Sequence, residues 1–222
     1  MFKSSLISLL IVPLFSIAQV SVVDLDKKPS PQPITRDVEV DIWNNGQNAY
    51  KGLSDKAKEV VYWTNYARFH PKRFWDSVIA PVLEAFPTLH GPEARSLQQE
   101  MMIAGSLPMF SLNTTLISTA QAHANDIARK QAPISHNSTN GTDFGTRLRK
   151  AGIQHCASEN LSLGSDIVLS VVLLYLDIGL SDAGHRKTLL NANLLEMGVG
   201  LAKYGKEEVF IVEDFALSLI HI

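Results

Sequence analysis

An apolar run of thirteen residues, 166–178, constrains the fold of this chain more than any other feature of its sequence. Ile, Val and Leu occupy most of its positions, so a helix over the run would be apolar on nearly every face. A helix that spans a membrane needs about 20 consecutive apolar residues, which this run does not reach. A short helix that is apolar all round must instead be covered by other elements. We therefore predict a layered fold in which this helix lies buried.

A small sheet is predicted near the C-terminus. Residues 197–202 and 209–215 have the composition of strands, and residues 203–206 have that of a hairpin turn. Apolar residues recur at helical spacing over 54–69 and 113–130. The sequence therefore predicts an α+β protein, a three-layer α-β-α sandwich with a small antiparallel sheet and helices on both of its faces.

Composition and charge exclude several classes of protein. The single cysteine, Cys156, cannot form an internal disulfide, which excludes a disulfide scaffold and a zinc site built on paired cysteines. The 20 Lys and Arg residues against 22 Asp and Glu residues give a formal net charge of −2. Because no excess positive charge is present to hold a phosphate backbone, we expect no nucleic-acid partner.

The chain divides into three predicted parts. Residues 1–18 have the pattern of a cleaved secretory signal peptide: Lys3 precedes an apolar core, and Ser-Ile-Ala at 16–18 forms a small-x-small cleavage site. The alternative is an uncleaved anchor. Residues 19–52 contain a Pro-rich stretch and are predicted to be an extended linker. Residues 53–222 are predicted to be the folded domain.

Secretion follows from the signal peptide, into either the extracellular space or the periplasm. A secreted domain of this size with one cysteine is typical of bacteria, because eukaryotic secreted domains usually carry more. We expect no stable membrane insertion after the signal is removed.

A few polar residues stand where apolar ones are expected. The common signatures G-x-S-x-G and H-E-x-x-H and the Walker loop are absent from the sequence. His136 follows a predicted helix, Glu159 lies in a segment with little charge, and His185 opens a short helix. Asp177 lies in the last turn of the apolar helix, where an acid opposes the helix dipole and needs a partner. These four residues are the candidates for a functional site.

The same residues belong to five short motifs that occur in order, and together the motifs resemble the CAP superfamily. This superfamily comprises cysteine-rich secretory proteins, antigen 5 and pathogenesis-related-1 proteins, and the chain is most similar to its bacterial SCP-like branch. The resemblance extends over roughly 53–216. The motifs are Leu116 to Ala128 with His123 and Asp126, Ser135-His136, Ser158-Glu159-Asn160, Gly184-His185-Arg186 and Met197-Gly198-Val199-Gly200.

The resemblance implies an α-β-α sandwich with a central cleft lined by two histidines and two acids. His136, Glu159 and His185 match three of these cleft residues, and Asp177 is the candidate for the fourth. Asp177 is an aspartate where many members have a glutamate, so its side chain is shorter. A second departure is the long segment 71–105, which small bacterial members lack or shorten.

The sequence leaves two functions open. The first is a secreted binding module for a small molecule, lipid, glycan or peptide, in which His136 and His185 hold Zn²⁺ or another divalent cation. The alternative is a metal-assisted hydrolase (a peptidase), with Glu159 and Asp177 as its catalytic acids. Imidazoles are common zinc ligands and carboxylates orient them, whereas carboxylates and imidazoles also serve as general acids and bases.

The signal-peptide prediction has a direct test. We expect N-terminal sequencing of the secreted protein to begin at or near Gln19, because signal peptidase would cut after Ala18. A mature cytosolic product that still begins with Met1 would refute secretion.

Overall fold

The computed structural model describes Leu25 and residues 28–33, 35–154 and 156–218. The signal peptide predicted over 1–18 lies outside these residues. The helices are α1 (Val38–Gly46), α2 (Asn48–Lys51), α3 (Asp55–Phe69), α4 (Pro71–Phe74), α5 (Ala80–Ala85), α6 (Pro92–Ile103), α7 (Thr114–Lys130), α8 (Phe144–Lys150), α9 (Ile167–Leu176) and α10 (Gly184–Leu189). A π-helical turn (Trp75–Ile79) separates α4 from α5, and a 3-10 turn (Pro87–Leu89) precedes α6. The strands are β1 (Ser111–Leu112), β2 (Ala157–Gly164), β3 (Leu194–Tyr204) and β4 (Glu208–Leu217).

The four strands form one sheet in the order β1-β3-β4-β2. β4 runs antiparallel to both β3 and β2, and the short β1 joins β3 in parallel over two residues. β3 and β4 confirm the two predicted strands and the hairpin between them. The sequence did not predict β2, which pairs with β4 alone among the described strands and therefore forms an edge of the sheet.

Helices cover both faces of this sheet. α7 packs on β3 and β4 on one face, and α3 and α9 pack together on the other, where α3 contacts β3 and α9 contacts β2. The α+β sandwich predicted from the sequence is therefore confirmed. α9 is the apolar helix, and most of its side chains are buried between α3 and the sheet. None of the helices in the described ranges has both the length and the apolar character to cross a membrane.

The helix ends follow the local chemistry of the sequence. Side-chain oxygens accept hydrogen bonds from free backbone N–H groups at several helix N-termini, as N-cap residues do. Ser54 caps α3, Asn113 caps α7 and Asp166 caps α9. The starts of these helices could therefore be predicted to within a residue.

The extended linker predicted over 19–52 is wrong for residues 38–51, which form α1 and α2. Asp37 accepts hydrogen bonds from the first N–H groups of α1 and so starts the helix. Val40 and Tyr50 are then buried in the main core, which stabilises both helices by tertiary contact. The Pro-rich stretch itself, residues 29–33, has no regular secondary structure.

Two glycines in β3 allow α7 to lie directly on the sheet. A Cβ atom at Gly198 would stand 2.1 Å from the carbonyl carbon of Leu116, and one at Gly200 would stand 2.2 Å from the amide nitrogen of Gln121. Both neighbours are backbone atoms of α7, so no side-chain rotation could relieve the clash. The Gly-Val-Gly sequence is therefore a packing requirement of the fold.

This contact predicts that Gly198→Ala destabilises the protein. Overpacking against backbone should lower the free energy of unfolding by about 3 kcal/mol, which for a chain of this size corresponds to a fall in Tm of roughly 6–12 °C. Gly46→Ala is the matched control, because nothing lies within 4 Å of a Cβ atom there. Thermal unfolding followed by circular dichroism measures both variants. Equal Tm values for the two would contradict the close packing.

Candidate functional site

The first half of the site is a pair formed by His136 and Glu159. His136 lies in the loop after α7, and its Nδ1 is 2.8 Å from Oε1 of Glu159 on β2. Arg147 of α8 binds the other oxygen of Glu159 and also donates to the backbone carbonyl of His136. The Glu159 side chain is 1% exposed, so its charge is compensated inside the protein by Arg147.

Two side chains of α7 fix the loop that carries His136. His123 donates from Nε2 to the carbonyl oxygen of Ser135 over 2.8 Å. Asp126 accepts two hydrogen bonds of 2.7 Å from Thr139, one from its backbone N–H and one from its hydroxyl. Burial lowers the pKa of His123, so this imidazole is a neutral donor. The residues on each side of His136 are thus tied to the same helix.

The second half of the site is a pair formed by His185 and Asp177. Nδ1 of His185 is 2.6 Å from Oδ1 of Asp177, whose side chain is fully buried. Asp177 ends α9 in a left-handed conformation, with φ of 54°. Its second oxygen accepts a 2.8 Å hydrogen bond from the backbone N–H of Arg186. The acid that the sequence placed unfavourably at a helix end therefore has two donors.

Arg186 joins this half of the site to the long segment 71–105. Its guanidinium donates to the carbonyl oxygens of Tyr175 and Leu176 at the end of α9, over 2.8 and 2.9 Å. It also donates to the carbonyl oxygen of Glu93 in α6, over 3.0 Å. The long segment 71–105 is thus attached directly beside His185.

Both histidine–acid pairs lie against the same short stretch of β2. Glu159 binds His136 from one face of the strand. On the other face, Ser158 forms a 2.7 Å hydrogen bond with Thr188 of α10, and Asn160 donates to the carbonyl oxygen of His185 over 3.5 Å. Successive side chains of a strand point to opposite faces, so the two pairs approach this edge strand from its two sides.

Two further acids lie behind these pairs, on β4. Glu213 and Asp214 are consecutive and almost fully buried. Burial raises the pKa of Glu213 to about 7, although a hydrogen bond from Thr64 and the nearby His185 act in the opposite direction. Burial and the Glu159 carboxylate raise the pKa of Asp214 well above its ordinary value.

Each of the two histidines leaves one ring nitrogen open for a further ligand. Each imidazole uses Nδ1 for its carboxylate, and neither Nε2 atom has a hydrogen-bond partner among the described residues. A neutral imidazole that donates from one nitrogen offers the lone pair of the other to a metal. No cluster of three or more His, Cys, Asp or Glu side chains suited to a metal occurs in the described parts of the chain. The described residues therefore offer two imidazole nitrogens and contain no closed structural metal site.

The structure adds site residues that the sequence reasoning missed. Arg147, Glu213 and Asp214 were not among the candidates. The signal for Arg147 was available, since a buried acid such as Glu159 requires a cation. The signal for the two acids was their position in the middle of an apolar strand, where each charge needs an explanation.

The fold and these two pairs define a class of protein, an α-β-α sandwich with a histidine–acid site at one edge of its sheet. Residues 61–215 match the family model of the cysteine-rich secretory protein family, CAP. The match extends over more than half of the chain, so this protein belongs to the CAP family, as the motifs predicted.

Several solved structures are similar to this chain. One is an extracellular protein with an SCP domain from Bacillus anthracis, 25% identical with a TM-score of 0.41, and the match covers 50% of this chain and 35% of that one. Another is venom allergen-like protein 4 of Schistosoma mansoni, 16% identical with a TM-score of 0.45, matched over 74% of this chain and 90% of that one. A third is NaASP2, crystallised with Zn²⁺, 13% identical with a TM-score of 0.42, matched over 74% of this chain and 80% of that one. This chain thus spans about a third of the Bacillus protein, and no curated protein gives a significant match.

The buried Glu213 predicts a pH-dependent stability. Its pKa is about 7 in the folded protein and 4.5 ordinarily, so the stability that it contributes is complete below pH 4.5 and is lost as the pH rises through 7. Between those limits the unfolding free energy of the wild type should fall by about 3 kcal/mol relative to Glu213→Gln. Urea unfolding at pH 5 and pH 8 measures this difference. Glu208→Gln, at the exposed start of the same strand, should keep the wild-type pH dependence; parallel pH profiles for all three proteins would contradict the prediction.

Proposed function

We propose that this protein is a secreted CAP-domain binding module in which His136 and His185 jointly bind a divalent cation, Zn²⁺ in the first instance. One observation carries the proposal. Each imidazole has its Nδ1 on a buried carboxylate, and no described residue is bonded to either Nε2. This is how proteins prepare histidines as metal ligands.

The two acids act as orienting partners in this proposal. Glu159 and Asp177 each accept an N–H from one imidazole, which selects its tautomer and raises its basicity as a ligand. Both acids are themselves held, Glu159 by Arg147 and Asp177 by the backbone N–H of Arg186. A cation bound to the two histidines would supply open coordination positions to which an oxygen or nitrogen of a ligand could attach. We propose a lipid, glycan or peptide as that ligand.

The state of the acids favours binding over hydrolysis. A general base must come within hydrogen-bond distance of the proton that it removes. Both oxygens of Glu159 and both oxygens of Asp177 already accept hydrogen bonds. Their side chains are at most 1% exposed. These carboxylates are therefore better suited to holding imidazoles than to reaching a substrate.

Calorimetric titration with Zn²⁺ tests the proposal. We expect one ion to bind the wild type, and His136→Ala and His185→Ala each to weaken the affinity at least tenfold, about 1.4 kcal/mol. His90→Ala is the matched control, because His90 is an exposed histidine outside both pairs and should leave the affinity unchanged. Binding should weaken on acidification, since protons compete for the imidazoles.

Two results would contradict the proposal. Equal zinc affinity in the wild type and in both histidine variants would remove His136 and His185 as ligands. Zinc-dependent cleavage of a peptide panel, abolished by the same substitutions in folded protein, would make the protein a hydrolase instead of a binding module.

A further inference from the structure

Asp214 faces Glu159 across two paired strands in the interior of the protein. The two residues are direct partners in the register of β2 and β4, so their side chains lie on the same face of the sheet. Counting backbone and side chain together, Asp214 is 1% exposed and Glu159 is 7% exposed. Two buried carboxyl groups are therefore held side by side.

The hydrogen bonds around this pair leave one oxygen without a donor. Oδ2 of Asp214 accepts a 2.6 Å hydrogen bond from the hydroxyl of Thr119 on α7. Oδ1 is buried and has no partner among the described residues. Glu159 supplies only acceptor oxygens, since both are engaged by His136 and Arg147. An ionised Asp214 would thus present a bare oxygen to another carboxylate, which is costly in a buried site.

The charges nearby supply compensation for only one of the two carboxyl groups. The groups that face Asp214 are Glu159 of β2, Arg147 of α8 and Thr119 of α7. Arg147 is the one permanent cation in this set and already binds Glu159. When two carboxyl groups share one site with one countercharge, one of them retains a proton.

We propose that Asp214 is a positioning residue: a neutral carboxylic acid whose O–H donates to Glu159 and so holds the Glu159 carboxylate against Nδ1 of His136. This role rests on the proposed function of His136 as a metal ligand. Glu159 then receives a donor from three directions, His136, Arg147 and Asp214, which fixes its orientation. Burial and the Glu159 charge, which raise the pKa of Asp214, are in keeping with a retained proton.

Glu213 provides a matched comparison for Asp214. It is the adjacent residue on β4 and is equally buried, but it points to the opposite face, where it accepts a hydrogen bond from Thr64. The proposal therefore predicts different effects at neighbouring positions. A substitution at position 214 should alter the hydrogen bonding of His136 and leave that of His185 unchanged.

Infrared spectroscopy of metal-free protein at pH 8 tests directly whether the carboxyl group of Asp214 is protonated. In a Glu213→Gln background, which removes the other buried acid of β4, we expect a carbonyl band from one protonated carboxylic acid. The band should disappear when Asp214→Asn is added, because the amide has the same shape but carries no carboxyl proton. Absence of the band before that substitution would overturn the proposal.

Nitrogen NMR of the imidazoles, also without metal, tests the positioning. Asp214→Asn keeps an uncharged donor and should leave His136 in its Nδ1–H tautomer, whereas Asp214→Ala should release it and leave the His185 signals unchanged. Zinc affinity should fall about tenfold in Asp214→Ala and recover in Asp214→Asn. Unchanged His136 signals in folded Asp214→Ala would overturn the role, and if that variant does not fold, the infrared band alone decides. Because both spectra are recorded without metal, a failure of zinc binding leaves their outcome intact.

Discussion

The direct contact of the α7 backbone with β3, at Gly198 and Gly200, is the constraint on which one half of the site depends. With α7 held at this distance, three of its side chains bond to other elements of the site. These contacts are Thr119 with Asp214, His123 with Ser135 and Asp126 with Thr139. A larger residue at either glycine would displace α7 and move all three contacts together. The position of His136 therefore depends on how closely α7 packs on the sheet.

The other half of the site depends on the burial of α9. Because this helix is covered on nearly every side, the residue that follows it, Asp177, lies in the interior and needs donors there. His185 and the backbone of Arg186 supply them. The two histidines are therefore positioned by different layers, and each pair contacts β2, the edge strand. An ion shared by them would connect the two layers across that strand.

Much of this fold could be predicted from the sequence, because its signals are local. Cap residues and helical spacing fix the starts of α3, α7 and α9, and the C-terminal hairpin follows from its strand composition. The prediction failed for α1 and α2, whose stability comes from contacts with the core rather than from their own residues. β2 was not predicted because its polar residues, Ser158 to Asn160, belong to the site and interrupt the apolar pattern of a strand.

The pairing within the site could be predicted only in part. The family motifs identified His136, Glu159, Asp177 and His185, and the structure joins them as two pairs. Which acid holds which histidine depends on the register of β2 with β4 and on the turn after α9, and neither is encoded by spacing along the chain. The same holds for Arg147 and Asp214, which reach Glu159 from other elements.

Anomalous diffraction at the zinc absorption edge, on crystals grown with Zn²⁺, tests the central claim most directly. The account predicts a single anomalous peak within bonding distance, about 2.1 Å, of Nε2 of His136 and Nε2 of His185, with Glu159 and Asp177 still on the opposite nitrogens. Zinc bound elsewhere, or bound to one histidine alone, would contradict it.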